Sequence, residues 1–324
     1  MSVMSFVAGS AVGWGSSAGR ESCPGSGLFG YRAVMPGAMA VAVVTDSTAY
    51  LPDASSLPPL TVVPLTVVVG GRAALEGVEV SPFEPAGPSG RVTTSRPSVD
   101  LFSRTYQDLF ASGATGIVSI HLSGRLSGTV SAARLAAADF GDRVAVVDAH
   151  STGMGLGFPA MAAQQAATAG GDLATVTAAA HSAVGRTRTY FCVDTLDHLR
   201  LGGRIGEAAA IRDTALAVKP ILAVSAEGVI VIDRVRTAGR AVQRLAELVV
   251  SAVDGGLIDL AIHHVAVPER AEALLAAIVH RLGERLRHRY VTEMGAVVAA
   301  HVGPGALGVI VYRYPQTPSL STGG

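Results

Sequence analysis

The sequence predicts an α/β protein built from two α/β lobes with largely parallel sheets. The chain has 324 residues, 49% of them apolar, so it is long enough to bury a large core. From residue 40 onward, short runs of β-branched residues alternate with Ala-rich stretches, as in strand-helix-strand units. A break near Gly170 divides this pattern in two. We therefore expect lobes at 39–165 and 166–314, preceded by a disordered extension at 1–38 and followed by a flexible tail at 315–324.

The strands are predicted from short apolar runs rich in Val, Ile and Thr. In chain order they cover 41–45, 61–69, 116–120, 143–147, 189–193, 229–232, 260–264, 297–300 and 308–312. The helices are predicted from longer Ala- and Leu-rich stretches that cover 99–112, 128–138, 157–169, 173–184, 239–253 and 268–288.

The first 38 residues differ from the rest because they are dense in Gly and Ser and have no sustained period. They contain a formal nucleophile elbow at 15–19 and a formal dinucleotide loop at 25–30. No predicted strand precedes either motif, and both motifs need one. We expect an extension without a site, and a native start at Met39, where the patterning begins.

Composition excludes several classes of function. Lys plus Arg and Asp plus Glu number 25 each, so no basic field draws nucleic acid. Cys23 and Cys192 are the only cysteines, which favours a reducing compartment over a disulfide scaffold. The mean hydropathy is positive, yet polar residues interrupt every apolar stretch before it reaches membrane-spanning length. We expect a cytoplasmic protein.

Candidate ligand contacts follow the predicted strands, because ligands of α/β folds bind at the carboxyl ends of strands. Asp46 and Ser47 follow the first strand, and Asp46 suits either a turn cap or a ligand contact. Ser127 opens a predicted helix, where it suits either an N-cap or an anion site. Hydroxyls at 93–95 precede Pro97 and another helix, with the same two alternatives.

His301 precedes the Gly-Pro loop 303–308, whose backbone N–H groups are expected to face an anion. The loop also spells G-x-G-x-x-G. Pro304 and the short chain that follows argue against a dinucleotide fold.

Several of these motifs fall in the order typical of one family. They comprise residues 45–48, 94–98, 120–129, 202–205, 219–221, 236–237 and 300–308. Over about 40–312, the chain resembles the DegV family. The resemblance departs at Arg96, where Gln is commoner, and at Gly124, Ala149 and Gly153, where Ser is usual.

The resemblance implies a two-lobed protein that holds a long-chain fatty acid in a tunnel at and beneath the interlobe cleft. It also implies a partner kinase that phosphorylates the bound carboxylate to an acyl-phosphate. Matching the motifs assigns the carboxylate to Thr94, Ser127 and His301. Supporting contacts are expected from Ser95, Gly128, Asp46 and Ser47.

Arg204 and Arg236 have two interpretations. In one, both line the rim where the kinase docks or where the acyl-phosphate gains charge. In the other, Gly202 ends a helix before a solvated Arg204, and Arg236 pairs with Asp233.

We expect no catalysis by the chain alone and no cofactor or metal. Lys219, its only lysine, precedes Pro220 and lacks the glycine loop of an ATP-binding P-loop. One enzymatic alternative is an acyl hydrolase with Ser127 as nucleophile, His301 as base and Asp46 as orienter. A regulatory lipid-binding module without a kinase is another alternative, and transient membrane contact stays open.

Overall fold

The computed structural model describes residues 41–52, 60–79, 92–210 and 218–315. The two short motifs of the N-terminal extension, Met39 and residues 316–324 of the predicted tail lie outside the described residues. The strands are β1 Val41–Asp46, β2 Thr61–Val63, β3 Thr66–Val69, β4 Arg72–Leu75, β5 Val92–Ser95, β6 Gly116–His121, β7 Val144–Asp148, β8 Thr187–Cys192, β9 Lys219–Ser225, β10 Gly228–Val235, β11 Ile258–His264, β12 Leu286–Glu293 and β13 Leu307–Arg313. The helices are α1 Val99–Ala111, α2 Thr129–Ala137, α3 Met154–Thr168, α4 Leu173–Arg186, α5 Asp197–Leu201, α6 Ala238–Ala252, α7 Pro268–Leu282 and α8 Ala296–Val302.

The first sheet is parallel throughout, in the order β2-β1-β6-β7. Every residue of β1 and β6 is buried, as expected for a parallel sheet covered on both faces. Val41 and Val43 pack with residues of α3 and α4, whereas Ala42 and Val44 pack with residues of α1 and α2. The α/β class and this parallel sheet confirm the prediction.

The second sheet has six strands in the order β10-β9-β8-β13-β11-β12 and differs from the expected parallel arrangement. The pair β11–β12 is parallel, and the other neighbouring pairs are antiparallel. A short apolar run shows that a strand is buried but not which way it runs, so this direction was not readable from the pattern. One face of the sheet packs on α6 and α7.

Helix α3 packs on both sheets. Leu156, Ala160 and Ala163 join the core beneath the parallel sheet, whereas Met154 and Phe158 pack with residues of β11 and β13. A small antiparallel sheet, β4-β3-β5, is the third sheet. Strand β5 of this sheet contributes to the site described below, and so does helix α8.

Residues 297–300 form part of α8, so the strand predicted there is wrong. The N–H of Val297 donates to Glu76 Oε1 at 2.8 Å, and the N–H of Val298 donates to the Tyr50 hydroxyl at 3.3 Å. These side chains satisfy N–H groups that a helix start leaves free, and this tertiary capping overrides the β-propensity of the Val-Val pair.

The helix predicted at 268–288 ends at Leu282, because Gly283 follows with a φ of +51°. A 3₁₀ turn, Gly283–Arg285, and strand β12 take the remaining residues. Strands β4, β5, β9 and β12 were not predicted. Within the part of the chain that the structure describes, no helix combines the length and apolarity needed to cross a bilayer.

Candidate functional site

A cavity that is partly open to solvent lies against one face of the six-stranded sheet, and the empty space in it and in its open mouth amounts to about 930 Å³. The floor of the cavity consists of residues that pair across strands β8 and β13. Phe191 and Gly308 are cross-strand partners in one row, and Thr189 and Ile310 form the row two residues farther along. Apolar side chains such as Leu65, Val224 and Val298 cover much of the remaining wall. One end is polar and is lined by Thr94, Ser95, Arg96, Ser127, Arg204 and His301.

Ser127 reaches this end on the loop between β6 and α2. The backbone N–H of Ser127 donates to Ser123 O at 3.0 Å, and the N–H of Ser123 donates to Ser151 O at 2.8 Å. Helix α2 takes Gly128 as its N-cap without a side-chain cap bond, so Ser127 does not fill the N-cap role considered from the sequence. Its hydroxyl instead shares a 2.9 Å hydrogen bond with the hydroxyl of Thr129.

Gly128 lies beneath Arg96. The Arg96 Nη1 group donates to Gly128 O at 3.4 Å, and a Cβ on Gly128 would lie 2.5 Å from that nitrogen. A side chain at Gly128 would therefore displace the guanidinium from the cavity wall. Ser95, next to Arg96, also lines the cavity.

Thr94 and His301 are in direct contact although 207 positions separate them. Thr94 Oγ1 and His301 Nε2 lie 2.8 Å apart. Thr94 comes from β5, which pairs with β3, and His301 comes from the last turn of α8. The small sheet and α8 thus bring these two predicted residues together.

His301 is largely buried, and its Nδ1 atom has no hydrogen-bond partner among the described residues. Burial, helped by the nearby Arg204 charge, lowers the pKa of His301 from 6.5 to about 4. The ring is therefore neutral at pH 7. Gly202 packs so closely on the imidazole that a Cβ there would collide with Nδ1.

Arg204 lines the cavity and is held by backbone. Its Nε donates to Leu126 O at 2.9 Å, and its Nη1 donates to Gly202 O at 2.6 Å. Gly202 does end α5, as one interpretation proposed, but Arg204 is not simply solvated. It joins α5 to the loop that carries Ser127, and it leaves further N–H groups for an anion.

Arg236 is exposed just after β10 and is not among the residues that line this cavity. Its suggested partner Asp233 instead accepts a hydrogen bond from Arg244 Nε at 2.7 Å.

Asp46 is fully buried and acts as a local organiser of the fold. It accepts hydrogen bonds from the N–H of Thr48 at 3.1 Å and of Leu122 at 2.9 Å, and it contacts His121 Nδ1 at 3.1 Å. Ser47 Oγ donates to Glu76 Oε2 at 2.7 Å. Neither Asp46 nor Ser47 is among the cavity-lining residues. The turn-cap interpretation of Asp46 is thus the one seen in the structure.

The proposed hydrolase triad is not assembled among these side chains. Ser127 bonds Thr129, His301 bonds Thr94, and Asp46 contacts His121. Each member therefore has a different partner.

The Gly-Pro loop after His301 does not present the free amides expected from its sequence. The N–H of Gly303 donates to Ala299 O at 2.8 Å, and the N–H of Gly305 donates to Val265 O at 2.9 Å. Both glycines have positive φ, and a Cβ on either would collide with the side chain of His198 or Asp194. The loop ends α8 and leads the chain into β13.

Sequence reasoning missed Glu76 and gave Gly308 a different role. Glu76 is only 3% exposed, and its carboxylate accepts from Ser47, from the Tyr50 hydroxyl and from the N–H of Val297 at the start of α8. Burial raises the pKa of Glu76, and its hydrogen bonds only partly offset that effect. Glu76 directly follows β4, a strand that was not predicted, so it was not among the polar residues expected after strands. Gly308 was expected in an anion-binding loop and instead forms part of the cavity floor.

The family model that matches this chain, one relative and two solved structures all carry the same family name. The DegV family model, described as "Uncharacterised protein, DegV family", matches residues 40–314. A DegV domain-containing protein of Streptomyces coelicolor is 48% identical over 275 residues, which cover 84% of this chain and 98% of the relative.

Two solved structures are similar over most of the chain. A structure described as fatty acid binding of a DegV family protein from Thermus thermophilus has a TM-score of 0.80 and 32% identity, and covers 85% of this chain and 100% of its own. Bacillus subtilis DegV, described as a fatty acid binding protein, has a TM-score of 0.76 and 30% identity, with 86% and 100% coverage.

Proposed function

The chain belongs to the DegV family, and on this premise we propose that it binds a long-chain fatty acid. The carboxylate would lie at the polar end of the cavity, and the acyl chain would follow the apolar floor over β8 and β13. The observation that carries the proposal is that Thr94, Ser127 and His301 line one end of a single, otherwise largely apolar cavity.

The polar end suits a carboxylate because it offers hydrogen-bond donors, and none of the described residues that line the cavity is acidic. A carboxylate that leaves water must recover its lost hydration through charge-assisted hydrogen bonds. The hydroxyls of Thr94 and Ser127 and the remaining N–H groups of Arg204 can donate to it.

The neutral imidazole of His301 would orient Thr94. Its unpartnered Nδ1 is better accommodated as a bare lone pair than as a buried N–H, because orphaned N–H donors are rarer in proteins than orphaned acceptors. The proton is therefore assigned to Nε2, which donates to Thr94 Oγ1. The Thr94 O–H is then left to donate to the ligand.

The apolar part of the cavity would supply the driving force. About 14 methylenes of a palmitate-sized chain, at ~0.8 kcal/mol each, give roughly 11 kcal/mol of gross burial. Association costs of about 4 to 15 kcal/mol remove much of this gain, so an unpaired head group would abolish binding. Affinity thus requires both ends of the cavity.

Native mass spectrometry of protein purified from a lipid-containing host tests the proposal. We expect a bound mass that solvent extraction identifies as a fatty acid, and Thr94→Val should reduce its occupancy. Gly239→Ala in α6 is the matched control, because its added Cβ meets nothing within 4 Å. Protein that neither retains nor rebinds any fatty acid would refute the proposal.

A separate kinase would act on the bound carboxylate, and Arg204 is the residue best placed to meet the charge of an acyl-phosphate. Arg236 would contribute only through contact with the kinase, because it is exposed away from the cavity lining. Phosphoryl transfer from ATP to the bound acid by a cognate kinase is the test. Unchanged turnover with Arg236→Ala would remove that residue from the proposal. If the protein binds a fatty acid but no kinase phosphorylates that acid, the protein acts as a lipid-binding module without a kinase partner.

A further inference from the structure

Thr152 and Thr189 line the cavity away from the proposed carboxylate site, and the Ser151 hydroxyl contacts that of Thr189. We propose that these hydroxyls, on Ser151, Thr152 and Thr189, recognise an oxygen substituent on the acyl chain, so that the protein prefers a hydroxylated fatty acid to the unsubstituted one. This inference rests on the proposed function and specifies the class of acid.

Thr152 lines the cavity, and its Oγ1 is buried beside it without a hydrogen-bond partner among the described residues. A Thr just before a helix commonly caps it, but α3 has Gly153 as its N-cap and no side-chain cap bond. Capping therefore does not explain this hydroxyl.

Ser151 and Thr189 extend the group. Their hydroxyl oxygens lie 2.8 Å apart, and both residues are more than 90% buried. One shared hydrogen bond uses one of their two donors, so the pair keeps a donor and several lone pairs. Gly155 makes room for the pair, because a Cβ there would collide with both hydroxyls.

The strand register places the Ser151–Thr189 pair farther along the cavity than the end proposed for the carboxylate. Phe191, in the nearer row of the floor, packs with Leu199 of α5 and Val302 of α8. Thr189 lies opposite Ile310 in the next row, about 7 Å farther at the usual rise of a strand. Ile310 packs with Met154 and Phe158 of α3 instead. A ligand group at this depth belongs to the acyl chain and not to the carboxylate.

The Thr152 hydroxyl is closed to water and has no partner among the described residues even in the empty cavity, and an unsubstituted chain would leave it unpaired, which is unfavourable. A chain hydroxyl at the same depth can both accept from Thr152 and donate to the Ser151–Thr189 pair. We expect a preference on the order of tenfold for the matching hydroxy acid.

The test compares octadecanoic acid with isomers that carry one hydroxyl near the carboxylate, in mid-chain or at the terminus. Binding is measured by displacement of a fluorescent fatty acid from the full-length protein. Thr152→Val removes the hydroxyl at nearly constant shape, and Thr152→Ser keeps the hydroxyl as the matched control. We expect one isomer to bind wild type about tenfold tighter than the parent acid, and Thr152→Val, but not Thr152→Ser, to lose that preference.

Equal binding of all the acids by wild type would overturn this inference and leave the proposed function standing. Persistence of the preference in Thr152→Val would also overturn it. Failure of every acid to bind would refute the proposed function, and this inference with it.

Discussion

Gly308 lies on the floor of the cavity, and a side chain there is expected to shorten the acyl chain that the protein accepts. The residue is the cross-strand partner of Phe191 and of His263, and both partners line the cavity. A Cβ on Gly308 would lie 3.4 Å from Met294 Cε and 3.7 Å from Phe191 Cβ, which are ordinary contacts. Gly308→Ala can therefore be accommodated by the strand, and we expect the longer side chain of Gly308→Leu to fill cavity space beyond that Cβ position.

The magnitude follows from the methylenes that the new side chain displaces. Gly308→Ala adds one carbon and should weaken binding of a long acid by about 0.8 kcal/mol, or roughly fourfold. Gly308→Leu adds four carbons and should weaken it by about 3 kcal/mol, or more than a hundredfold. An acid short enough to end before Gly308 should lose little affinity in either variant.

Calorimetric titration with a series of saturated acids measures this effect, and Gly239→Ala serves as the control. The expected signature is a shift of preference toward shorter acids that grows from the Ala to the Leu variant. If Gly308→Leu binds long acids as tightly as wild type does, the acyl chain does not follow this face of the sheet, and the reasoning fails.

Three further predictions concern the polar groups. Thr94→Val and Ser127→Ala should each weaken fatty-acid binding about ten- to hundredfold without unfolding the protein, since each removes a donor to a charged group. Calorimetry measures the affinity, and an unchanged circular dichroism spectrum shows that the variant is folded. A variant that binds as tightly as wild type would place the carboxylate elsewhere. Glu76→Ala should lower the free energy of unfolding by about 2 to 3 kcal/mol, because it leaves buried polar partners such as the Val297 N–H unpaired. Urea denaturation should show a smaller loss of stability for Glu76→Gln. Equal losses in the two variants would contradict the capping role of Glu76. Burial lowers the pKa of His263 from 6.5 to about 4, so the folded protein binds fewer protons than the unfolded chain between these values and loses stability as the pH falls through that window. The loss should reach about 3 kcal/mol by pH 4, and His263→Gln should have a flatter stability profile in denaturant titrations at each pH; an unchanged slope would contradict this assignment.

The fold could be predicted where one pattern has one structural meaning. Strand β1, expected at 41–45, is observed at Val41–Asp46, and α1, expected at 99–112, is observed at Val99–Ala111. Strand β12 was missed because its mostly exposed residues contain little apolar pattern, and its pairing with β11 is what makes it a strand. Helix α8 was missed because Glu76 and Tyr50, both far away in sequence, cap its start.

The candidate site, like the fold, could be predicted from the sequence only in part. The sequence by itself determined the α/β class and the polar loops after the strands, because residue type and local period are properties of short segments. Its resemblance to the DegV family singled out Thr94, Ser127 and His301 as candidate residues. Only the tertiary structure decided that Thr94 contacts His301, that Asp46 serves the loop beside the cavity, and that Gly308 and Thr152 border the space for the chain. These features depend on strand direction, cross-strand register and helix packing, and those arise from contacts between residues that the local pattern does not connect.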